Sequence, residues 1–510
     1  MNEPLVYSWY SALRSYQRTG AEWLNDVPAL QRGRLLADPM GFGKGRTIAG
    51  AVRLRHERGL ADNPCTPVIT TALARTDIRR EIKAVWPEAL VHILGVDEAK
   101  YQKVKESDAD FDERQNGRWR RMLRGELGPS FVISSYESLP DILQTALADS
   151  ILFDSIIFDE AHYLKKAGAL RSRAARPLVG KSRVTFLTTG TPIENRPYDL
   201  YNLLDLMKMG SFGGSFMKFA ERYFAVRVTE GGFGRVVGEL VDKERLAADL
   251  SPYVLQRSVR EAFGELPARI RTLQRISVKK AHRVSPAKFH TLKTDGAIEK
   301  AILAATHLKL TTAVELAESI GQPVVLFAWQ KETAHKLTGM LNKAGIPSVA
   351  ATGDLPTNKR QQLIEDWKNG IGTALVCTMD AVRESATLTR AADTIFVDFS
   401  WMIGKQLQCE GRTDPSRQPE NNRRPARYWY LCIEGGPDEI VAERLAEKIA
   451  DAEGLPGASE NQSGLGTMLG PLARGQAINE SPASAMEDLI GRLEARAKRL
   501  TDIGLWSNDD

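Results

Sequence analysis

Short apolar runs alternate with longer helix-like stretches through residues 1–207 of the chain. Each run ends in small or polar side chains, which is typical of buried strands whose tips face a ligand in an open α/β sheet. Helices that cover both faces of a parallel sheet account for the stretches between the runs. The predicted strands are Arg34–Ala37, Pro67–Thr70, Phe131–Ser134, Ser155–Phe158 and Val184–Leu187.

The pattern changes after residue 207. Residues 208–315 are rich in Phe and Lys and then mostly helical in pattern, so we expect a helical insertion and inter-lobe linker there. Alternation returns over residues 316–452, which predicts strands at Pro323–Phe327, Thr373–Cys377, Thr394–Val397 and Tyr428–Leu431. The expected fold class is α/β, with two parallel-sheet lobes in tandem and the insertion between them.

Residues 453–510 differ in composition from both lobes. Gly, Ser, Pro and Asn are frequent beyond Gly454, which favours a flexible linker. A short amphipathic helix is predicted from Ala485 to Leu500. A length of 510 residues fits two or three domains, in agreement with this division.

Composition places the chain among soluble globular proteins, since 43% of its residues are hydrophobic and 26% are charged. No apolar run approaches the roughly 20 residues that span a bilayer. The N-terminal residues lack the basic and apolar segments of a secretory signal, so a cytoplasmic location is expected, nucleoid-associated or in a virus-infected cell if the source is prokaryotic. The four cysteines are scattered, which indicates neither a zinc site nor a disulfide framework.

The net charge of +5 is only mildly basic for this length, but basic residues cluster locally. Such clusters can hold nucleic-acid phosphates, and a solvated basic face is the alternative. The clusters are Arg114, Arg118, Arg120, Arg121 and Arg124 around Trp119, then Arg171, Arg173, Arg176, Lys181 and Arg183, and lastly Arg423, Arg424 and Arg427.

The sharpest local signal is a predicted phosphate-binding loop. A buried strand leads into a turn whose Gly41 and Gly43 permit the close backbone approach that phosphate oxygens need, and a helix follows. Lys44 would neutralise the β- and γ-phosphates of a nucleotide. The expected nucleotide-binding residues here are Asp38, Pro39, Met40, Gly41, Phe42, Gly43, Lys44, Gly45, Arg46 and Thr47.

One position departs from the usual phosphate loop. A Ser or Thr hydroxyl normally follows the lysine and binds magnesium, whereas Gly45 has none. Thr47 lies two residues further on, rotated ~200° around the helix. Either magnesium depends on Asp159 and water, or the start of the helix is remodelled to bring Thr47 round.

The apolar run Ile156–Phe158 ends in Asp159 and Glu160, within the sequence DEAH. A buried strand would project both carboxylates at its tip. Asp159 would hold magnesium, mostly through water, and Glu160 would orient or deprotonate the attacking water. The sequence therefore predicts a site for hydrolysis of a nucleoside triphosphate.

These segments follow one another in the order found in superfamily 2 motors and resemble the SWI/SNF-type DNA translocases. Leu187–Asn195 is similar to the LTGTPIxN motif of that family, and GKGRTIAG in the phosphate loop is similar to the strawberry-notch helicases. Leu13–Gln17 resembles the LRxYQ element, which implies that Gln17 reads adenine. Leu255–Ser258 with Glu265–Pro267 resembles the RR…LP bridge between lobes. The resemblance extends from about Leu13 to Lys448 and implies two RecA-like lobes.

Gln408–Gln418 resembles the QxxGRxxRxxQ motif of the second lobe. The resemblance implies that Arg412 is an arginine finger, which stabilises the charge of the phosphoryl group in transfer. The second arginine of the motif is out of register, because Pro415 occupies its place and Arg417 lies two positions later. Either Arg417 takes over the second role, or that role is weakened.

The resemblance implies a DNA-dependent ATPase that uses ATP and Mg²⁺ to move along double-stranded DNA through backbone contacts, independently of base sequence and as a monomer. Repair, recombination or fork remodelling is the expected setting, and protein partners are not predicted. Two alternatives stay open: a helicase that separates strands of DNA or RNA, and an ATP-gated DNA clamp with little turnover.

Overall fold

The computed structural model describes residues 8–27, 32–72, 74–95, 117–193, 196–207, 212, 214–228, 235–278, 295–381, 387–400, 402–456, 458 and 465–469. The strands are β1 Gly33–Leu36, β2 Cys65–Thr70, β3 Leu90–Ile93, β4 Ser130–Ser135, β5 Phe153–Asp159, β6 Ser182–Thr188, β7 Phe224–Val228, β8 Arg235–Leu240, β9 Val254–Leu255, β10 Arg269–Ile276, β11 Val324–Ala328, β12 Ser348–Ala351, β13 Ala374–Thr378, β14 Asp393–Phe396 and β15 Ala426–Ile433.

The α-helices flank these strands in both halves of the chain. Their bounds are α1 Ser15–Asn25, α2 Lys44–Glu57, α3 Arg75–Val85, α4 Leu139–Ala148, α5 Leu170–Gly180, α6 Tyr201–Met207, α7 Phe216–Tyr223, α8 Lys243–Leu250, α9 Val259–Phe263, α10 Asp295–Ile320, α11 Lys331–Lys343, α12 Thr357–Lys368, α13 Ile403–Glu410 and α14 Pro437–Ala452. The predicted C-terminal helix at 485–500 lies outside the described residues.

The first lobe is a seven-stranded parallel sheet in the order β3-β4-β2-β5-β6-β1-β9. Its strands are buried on both faces, because alternate residues enter two different cores. In β5, Ile156 and Phe158 pack into one core and Ile157 packs into the other. The carboxyl ends of β5, β6 and β1 lie side by side, which places the residues after these strands at one edge of the sheet.

The second lobe is a six-stranded parallel sheet in the order β10-β15-β14-β11-β13-β12. It has the same double burial: Val325 and Phe327 of β11 enter one core, whereas Val324 and Leu326 enter the other. The two sheets confirm the expected α/β fold with two lobes in tandem.

The structure distributes residues 208–315 differently from the predicted helical insertion. The segment through Tyr253 packs into the core of the first lobe, and β9 extends the sheet of that lobe. The antiparallel hairpin β7–β8 projects from this part. β10 already belongs to the second sheet, and α10 packs against the same lobe. The segment that joins the two sheets is thus short, from β9 to β10.

The chain returns to the first lobe after α14. Ala452 and Leu455 are buried in the core of the first lobe, while Leu465 and Leu469 are buried in the second. Arg196 and Asp451 form an ion pair across the same boundary. We call residues 451–458 the return segment. No helix among the described residues has the length and apolar character needed to cross a bilayer.

Candidate active site

The turn between β1 and α2 has the backbone conformation of a phosphate loop. Gly41 and Gly43 have φ angles of +88° and +67°, a region that side chains rarely adopt. The turn ends where α2 begins, at Lys44, so a helix N-terminus with its positive dipole follows directly. The turn is therefore able to bind an anion through its backbone N–H groups.

The Lys44 ammonium lies between the tips of three strands. Its Nζ donates to the carbonyl oxygens of Asp38 (3.0 Å) and Pro39 (3.4 Å). A Cβ atom added to Gly190 would lie 3.3 Å from Nζ, so the loop after β6 closes on it. Burial lowers the pKa of Lys44, and the Glu160 and Asp159 carboxylates act in the opposite direction.

Gln17 ties the phosphate loop to α1. Its Nε2 donates to the carbonyl of Phe42 (3.0 Å), and its Oε1 accepts from the backbone N–H of Arg14 (3.0 Å). The Tyr16 hydroxyl donates to the same Phe42 carbonyl at 3.1 Å. Both ends of the amide are therefore engaged, and the recognition of adenine by Gln17 stays a prediction.

Phe42 is buried, with only 1% of its surface exposed, in a small aromatic cluster. Its ring centroid lies 5.0 Å from that of Phe263 and 5.8 Å from that of Tyr16. The side chain therefore anchors the loop in this cluster and does not line the cleft.

The neighbourhood of Gly45 explains the missing hydroxyl. A Cβ atom at Gly45 would lie 3.1 Å from Cβ of Glu81, so α3 occupies the space of a side chain. The next residue, Arg46, is exposed and its Nε lies 2.8 Å from the Glu81 carboxylate. Thr47 is buried, and its methyl group lies against Gly20 of α1. The helix start is regular, and the Thr47 hydroxyl donates to the carbonyl of Gly43, one turn back, at 3.5 Å.

The Asp38 carboxylate, predicted to lie near the nucleotide, is bound instead by the linker between lobes. It is fully buried and accepts from the backbone N–H and the Nε of Arg257, both at 3.0 Å, and also from Nη2. Another Arg257 nitrogen donates to the carbonyl of Tyr16. Asp38 therefore contributes its backbone carbonyl to the cleft, where it accepts from Lys44.

Asp159 ends β5, at the edge of the sheet that faces the phosphate loop. Its Oδ1 accepts from the Thr188 hydroxyl (2.6 Å) and its Oδ2 from the Thr70 hydroxyl (2.7 Å). Burial and the charge of Glu160 raise the pKa of Asp159. Each oxygen keeps a lone pair, so this fixed carboxylate fits a cation in the cleft.

Glu160 has a φ of +51°, which is strained by about 1–2 kcal/mol for a residue with a side chain. Its Oε2 lies 3.2 Å from Nδ1 of His162. The same His162 nitrogen lies 2.9 Å from the Thr189 hydroxyl. Burial favours a higher pKa, but His162, Lys44 and Arg412 outweigh it and lower the pKa of Glu160 to about 2. These charges therefore favour the ionised form of the Glu160 carboxylate.

The two lobes meet directly at this site. Nε2 of Gln408 on α13 donates to the Thr191 hydroxyl of the first lobe at 3.0 Å. Met40 of the phosphate loop lies between two glycines, because Cβ atoms at Gly190 and Gly411 would lie 3.2 Å and 3.1 Å from its side-chain atoms. The lobes are thus closed on the cleft.

Arg412 lies in the turn that follows α13 and has 3% of its surface exposed. Its backbone is held on both sides, because its N–H donates to Cys409 (3.1 Å) and its carbonyl accepts from Leu388 (2.8 Å). Its charge contributes to the lowered pKa of Glu160 in the other lobe. The structure therefore brings Arg412 to the cleft that its predicted role requires.

Arg417 also reaches the phosphate loop, despite its shift of two positions. A short 3-10 turn at Pro415–Arg417 folds the chain back toward the first lobe. A Cβ atom at Gly41 would lie 3.2 Å from Cγ of Arg417. Burial lowers the pKa of Arg417, whereas the charges of Asp414 and Glu160 raise it. The side chain of Arg417 therefore packs against the phosphate loop, and its role as the second arginine stays a prediction.

Some residues that the sequence singled out lie away from the cleft or outside the described part of the chain. Arg121, Arg124 and Arg183 of the predicted basic clusters are paired with acidic residues away from the cleft. The described residues do not include Arg114, the motif residues Glu194 and Asn195, or residues 382–386. The functional contacts that sequence reasoning missed are those of Thr70, Thr188, Arg257, Arg269 and Arg271, whose partners are distant in sequence.

A phosphate loop and paired carboxylates on one wall of a cleft, opposed by two arginines on the other, define a two-lobed ATPase core of helicase type. The SNF2-related domain model matches residues 16–316, and the helicase conserved C-terminal domain model matches residues 307–414. Because the first match alone covers more than half of the chain, the chain belongs to the SNF2-related family.

Curated relatives come from animals, plants and bacteria. The DNA annealing helicase and endonuclease ZRANB3 of Mus musculus is 24% identical over 63% of this chain and 31% of its own length. The Zorya protein ZorD of Escherichia coli O139:H28 is 25% identical over 80% of this chain and 42% of its own. The Sulfolobus solfataricus SWI2/SNF2 ATPase core in complex with dsDNA matches 90% of this chain and 94% of its own, with 18% identity and a TM-score of 0.40. The chain spans about a third of the length of the first curated relatives.

Proposed function

We propose that this chain is an ATP-driven motor that moves along double-stranded DNA. The observation that carries the proposal is the cleft itself, in which Lys44 and Glu160 of one lobe face Arg412 and Arg417 of the other. Hydrolysis that needs groups from both lobes couples the state of the nucleotide to the distance between the lobes. Such coupling is what a motor requires.

The residues of the cleft divide the work of hydrolysis. The N–H groups of the phosphate loop and Lys44 would bind the phosphates. Glu160, ionised and held by His162, would orient the attacking water and accept its proton. Arg412 and Arg417 would stabilise the negative charge on the transferred group, which is worth ~10³-fold or more in rate.

Asp159 is the residue that would hold Mg²⁺. It lies at the cleft with both oxygens fixed, whereas Gly45 has no hydroxyl and that of Thr47 donates to the Gly43 carbonyl. The ion supplies charge neutralisation for the phosphate oxygens when bound. Asp159→Asn is therefore expected to raise the magnesium concentration needed for half-maximal activity, whereas Thr47→Val, which removes the hydroxyl, leaves it unchanged.

DNA is proposed as the track because the mouse relative is named as a DNA annealing helicase. Exposed Lys166 and Arg173 lie just beyond the 3-10 turn after Glu160, on the side of the sheet that carries the cleft. Backbone contacts by such residues give affinity that depends on salt and not on base sequence. A site in repair, recombination or fork remodelling follows as part of the same proposal.

The decisive experiment measures ATP hydrolysis with and without blunt duplex DNA, together with displacement of a third strand from a triplex. We expect DNA to stimulate hydrolysis and the triplex strand to be displaced. Lys44→Ala and Glu160→Gln should abolish both, whereas Lys343→Ala, at an exposed end of α11, should leave both unchanged.

The outcomes separate the alternatives. Hydrolysis that Lys44→Ala and Glu160→Gln leave intact would refute the assignment of the site. Unwinding of a labelled blunt duplex would indicate a strand-separating helicase. ATP-dependent DNA binding without turnover would indicate a clamp, which the approach of Arg417 to the phosphate loop disfavours.

A further inference from the structure

Strand β10, at the edge of the second sheet, carries two arginines toward the turn that holds Arg412. The strand pairs in parallel with β15, where Arg269 lies opposite Ala426 and Arg271 opposite Tyr428. Because side chains alternate along a strand, Arg269 and Arg271 emerge on one face. We call residues 410–417, which begin at the last residue of α13, the finger loop.

Both arginines bind carboxylates of the finger loop through two nitrogens. Arg271 donates to the two oxygens of Glu410, each at 2.7 Å. Arg269 donates to those of Asp414 at 2.6 and 3.1 Å. The side chains of Glu410 and Asp414 are only 3% and 6% exposed. Bidentate pairs of this kind fix position and orientation together.

The two pairs bracket the finger arginine. Glu410 lies two residues before Arg412, and Asp414 lies two residues after it. The Tyr430 hydroxyl also donates to Glu410 at 2.6 Å. The backbone of Arg412 is therefore anchored on either side to strands of the second sheet, so a shift of β10 would move the finger.

Asp414 also contacts the segment that carries Arg417. Its carbonyl accepts from the Arg417 N–H (3.0 Å), and its Oδ1 accepts from the Ser416 N–H (2.8 Å). Without Arg269, the buried Asp414 carboxylate would attract the Arg417 guanidinium, which otherwise donates to the Thr387 hydroxyl at 3.3 Å. Arg269 satisfies this charge and leaves Arg417 at the phosphate loop.

We infer that Arg269 and Arg271 are positioning residues for hydrolysis, which hold the finger loop so that Arg412 and Arg417 face the phosphate loop. The inference rests on the proposed function, since it concerns the rate of the same reaction. Arg269 lines the cavity between the lobes together with Pro39 and Met40, and its guanidinium is held there by Asp414. The effect of Arg269 and Arg271 is on the transition state, through the arginines that they place.

The test compares Arg269→Met, Asp414→Asn and the double variant in steady-state ATP hydrolysis with saturating duplex DNA. A misplaced catalytic group costs ~10²-fold in rate, so we expect Arg269→Met to lower kcat by about that factor. KM for ATP should stay near the wild-type value, because the lost interaction belongs to the transition state. The double variant should regain most of kcat, because Asp414→Asn removes the charge that draws Arg417 away.

Arg275→Met is the matched control on the same strand. Arg275 lies opposite Cys432, six residues from Arg269 and away from the finger loop, and we expect its kcat to be unchanged. Arg271→Met with Glu410→Gln repeats the comparison at the other pair. Thermal unfolding of every variant shows whether it is folded, and the rescue in the double variants separates positioning from simple loss of structure.

The outcomes are distinct. A folded Arg269→Met variant with wild-type kcat, or a double variant no more active than the single one, would overturn the inference while the Lys44-dependent activity of the wild type upholds the proposed function. A fall in ATP affinity together with kcat would assign the pair a merely structural role and also overturn it. If the wild type shows no Lys44-dependent hydrolysis, the proposed function fails and the inference falls with it.

Discussion

Gly43 and Gly59 have nearly the same backbone conformation in very different surroundings. Both have φ near +66° and both flank α2, but a Cβ atom at Gly43 would lie 2.6 Å from Nε2 of Gln17, whereas at Gly59 nothing lies within 4 Å. Substitutions at these two glycines therefore distinguish the effect of backbone strain from the effect of losing the hydrogen bond between Gln17 and the phosphate loop.

We expect Gly43→Ala to weaken ATP binding at least tenfold, because it adds the displacement of Gln17, worth more than ~1.4 kcal/mol, to the strain. Gly59→Ala should lower only the free energy of unfolding, by about 1–2 kcal/mol. Titration with a fluorescent ATP analogue and urea unfolding measure the two effects. Equal ATP affinity in both variants would contradict the role given to Gln17.

Some residues of the cleft could be predicted from the sequence alone. The phosphate loop, Asp159, Glu160 and Arg412 were predictable because each function needs a local pattern of residue types. The glycine at position 45 was not predictable, because the side chain that leaves no room for a larger residue there belongs to Glu81 on α3. The partners of the linker arginines are likewise more than a hundred residues away in sequence, so no local pattern records them.

Among the elements, the central strands followed from the sequence and the edge strands did not. β2, β4, β5 and β6 are buried throughout or nearly so and appear as apolar runs. β10 has the sequence RIRTLQRI, and its arginines interrupt the apolar run from which a buried strand is predicted. The charges of Arg269 and Arg271 are satisfied by the finger loop, a contact that only the folded chain contains.

A buried ion pair between Asp38 and Arg257 ties the linker between the lobes to the first lobe. Arg257→Met should lower the free energy of unfolding by about 3–5 kcal/mol, because it leaves a buried carboxylate without its partner. Asp38→Asn combined with Arg257→Met should recover part of this loss. Urea unfolding of the single and double variants checks the prediction, and additive losses would contradict it.

The four cysteines are buried in strands and in α13, and burial raises the pKa of Cys65 to about 12. Burial raises the pKa of Cys377 and Cys432 as well. We therefore expect no thiol to react with a disulfide reagent at pH 8 in the native protein, and all four to react after unfolding. Rapid labelling of the native state would contradict the burial.

The same shifts predict a sensitivity to alkali. The unfolded thiols lose their protons above a pH of about 8.5, whereas the folded ones keep theirs, so stability falls as pH rises from there. Each of the three thiols Cys65, Cys377 and Cys432 adds a slope of about 1.4 kcal/mol per pH unit. Cys65→Ala should reduce the slope by that amount in urea unfolding between pH 9 and 11.

At the scale of the whole molecule, the return segment closes the two-lobed arrangement. Leu455 is 3% exposed and packs in the core of the first lobe, although it follows the last helix of the second. Leu465 is equally buried but packs in the second lobe. The two leucines therefore report separately on contact between the lobes and on packing within one lobe.

Leu455→Ala should release the return segment, since truncation of a buried leucine costs ~2–5 kcal/mol and here only contact between lobes is lost. We expect an increased radius of gyration in small-angle scattering without nucleotide. Leu465→Ala should lower the unfolding temperature and leave the radius unchanged. An identical radius for both variants would mean that the return segment does not hold the lobes.

The short connection between the sheets also limits how far the two lobes can move apart. Arg257 is fastened to the phosphate loop and Arg269 to the finger loop, and the chain between them extends to roughly 40 Å at most. With α9 intact the span is shorter still. The largest separation of the two lobes is thus set by a dozen residues, and lengthening them would let the lobes move further apart without altering a single group in the cleft.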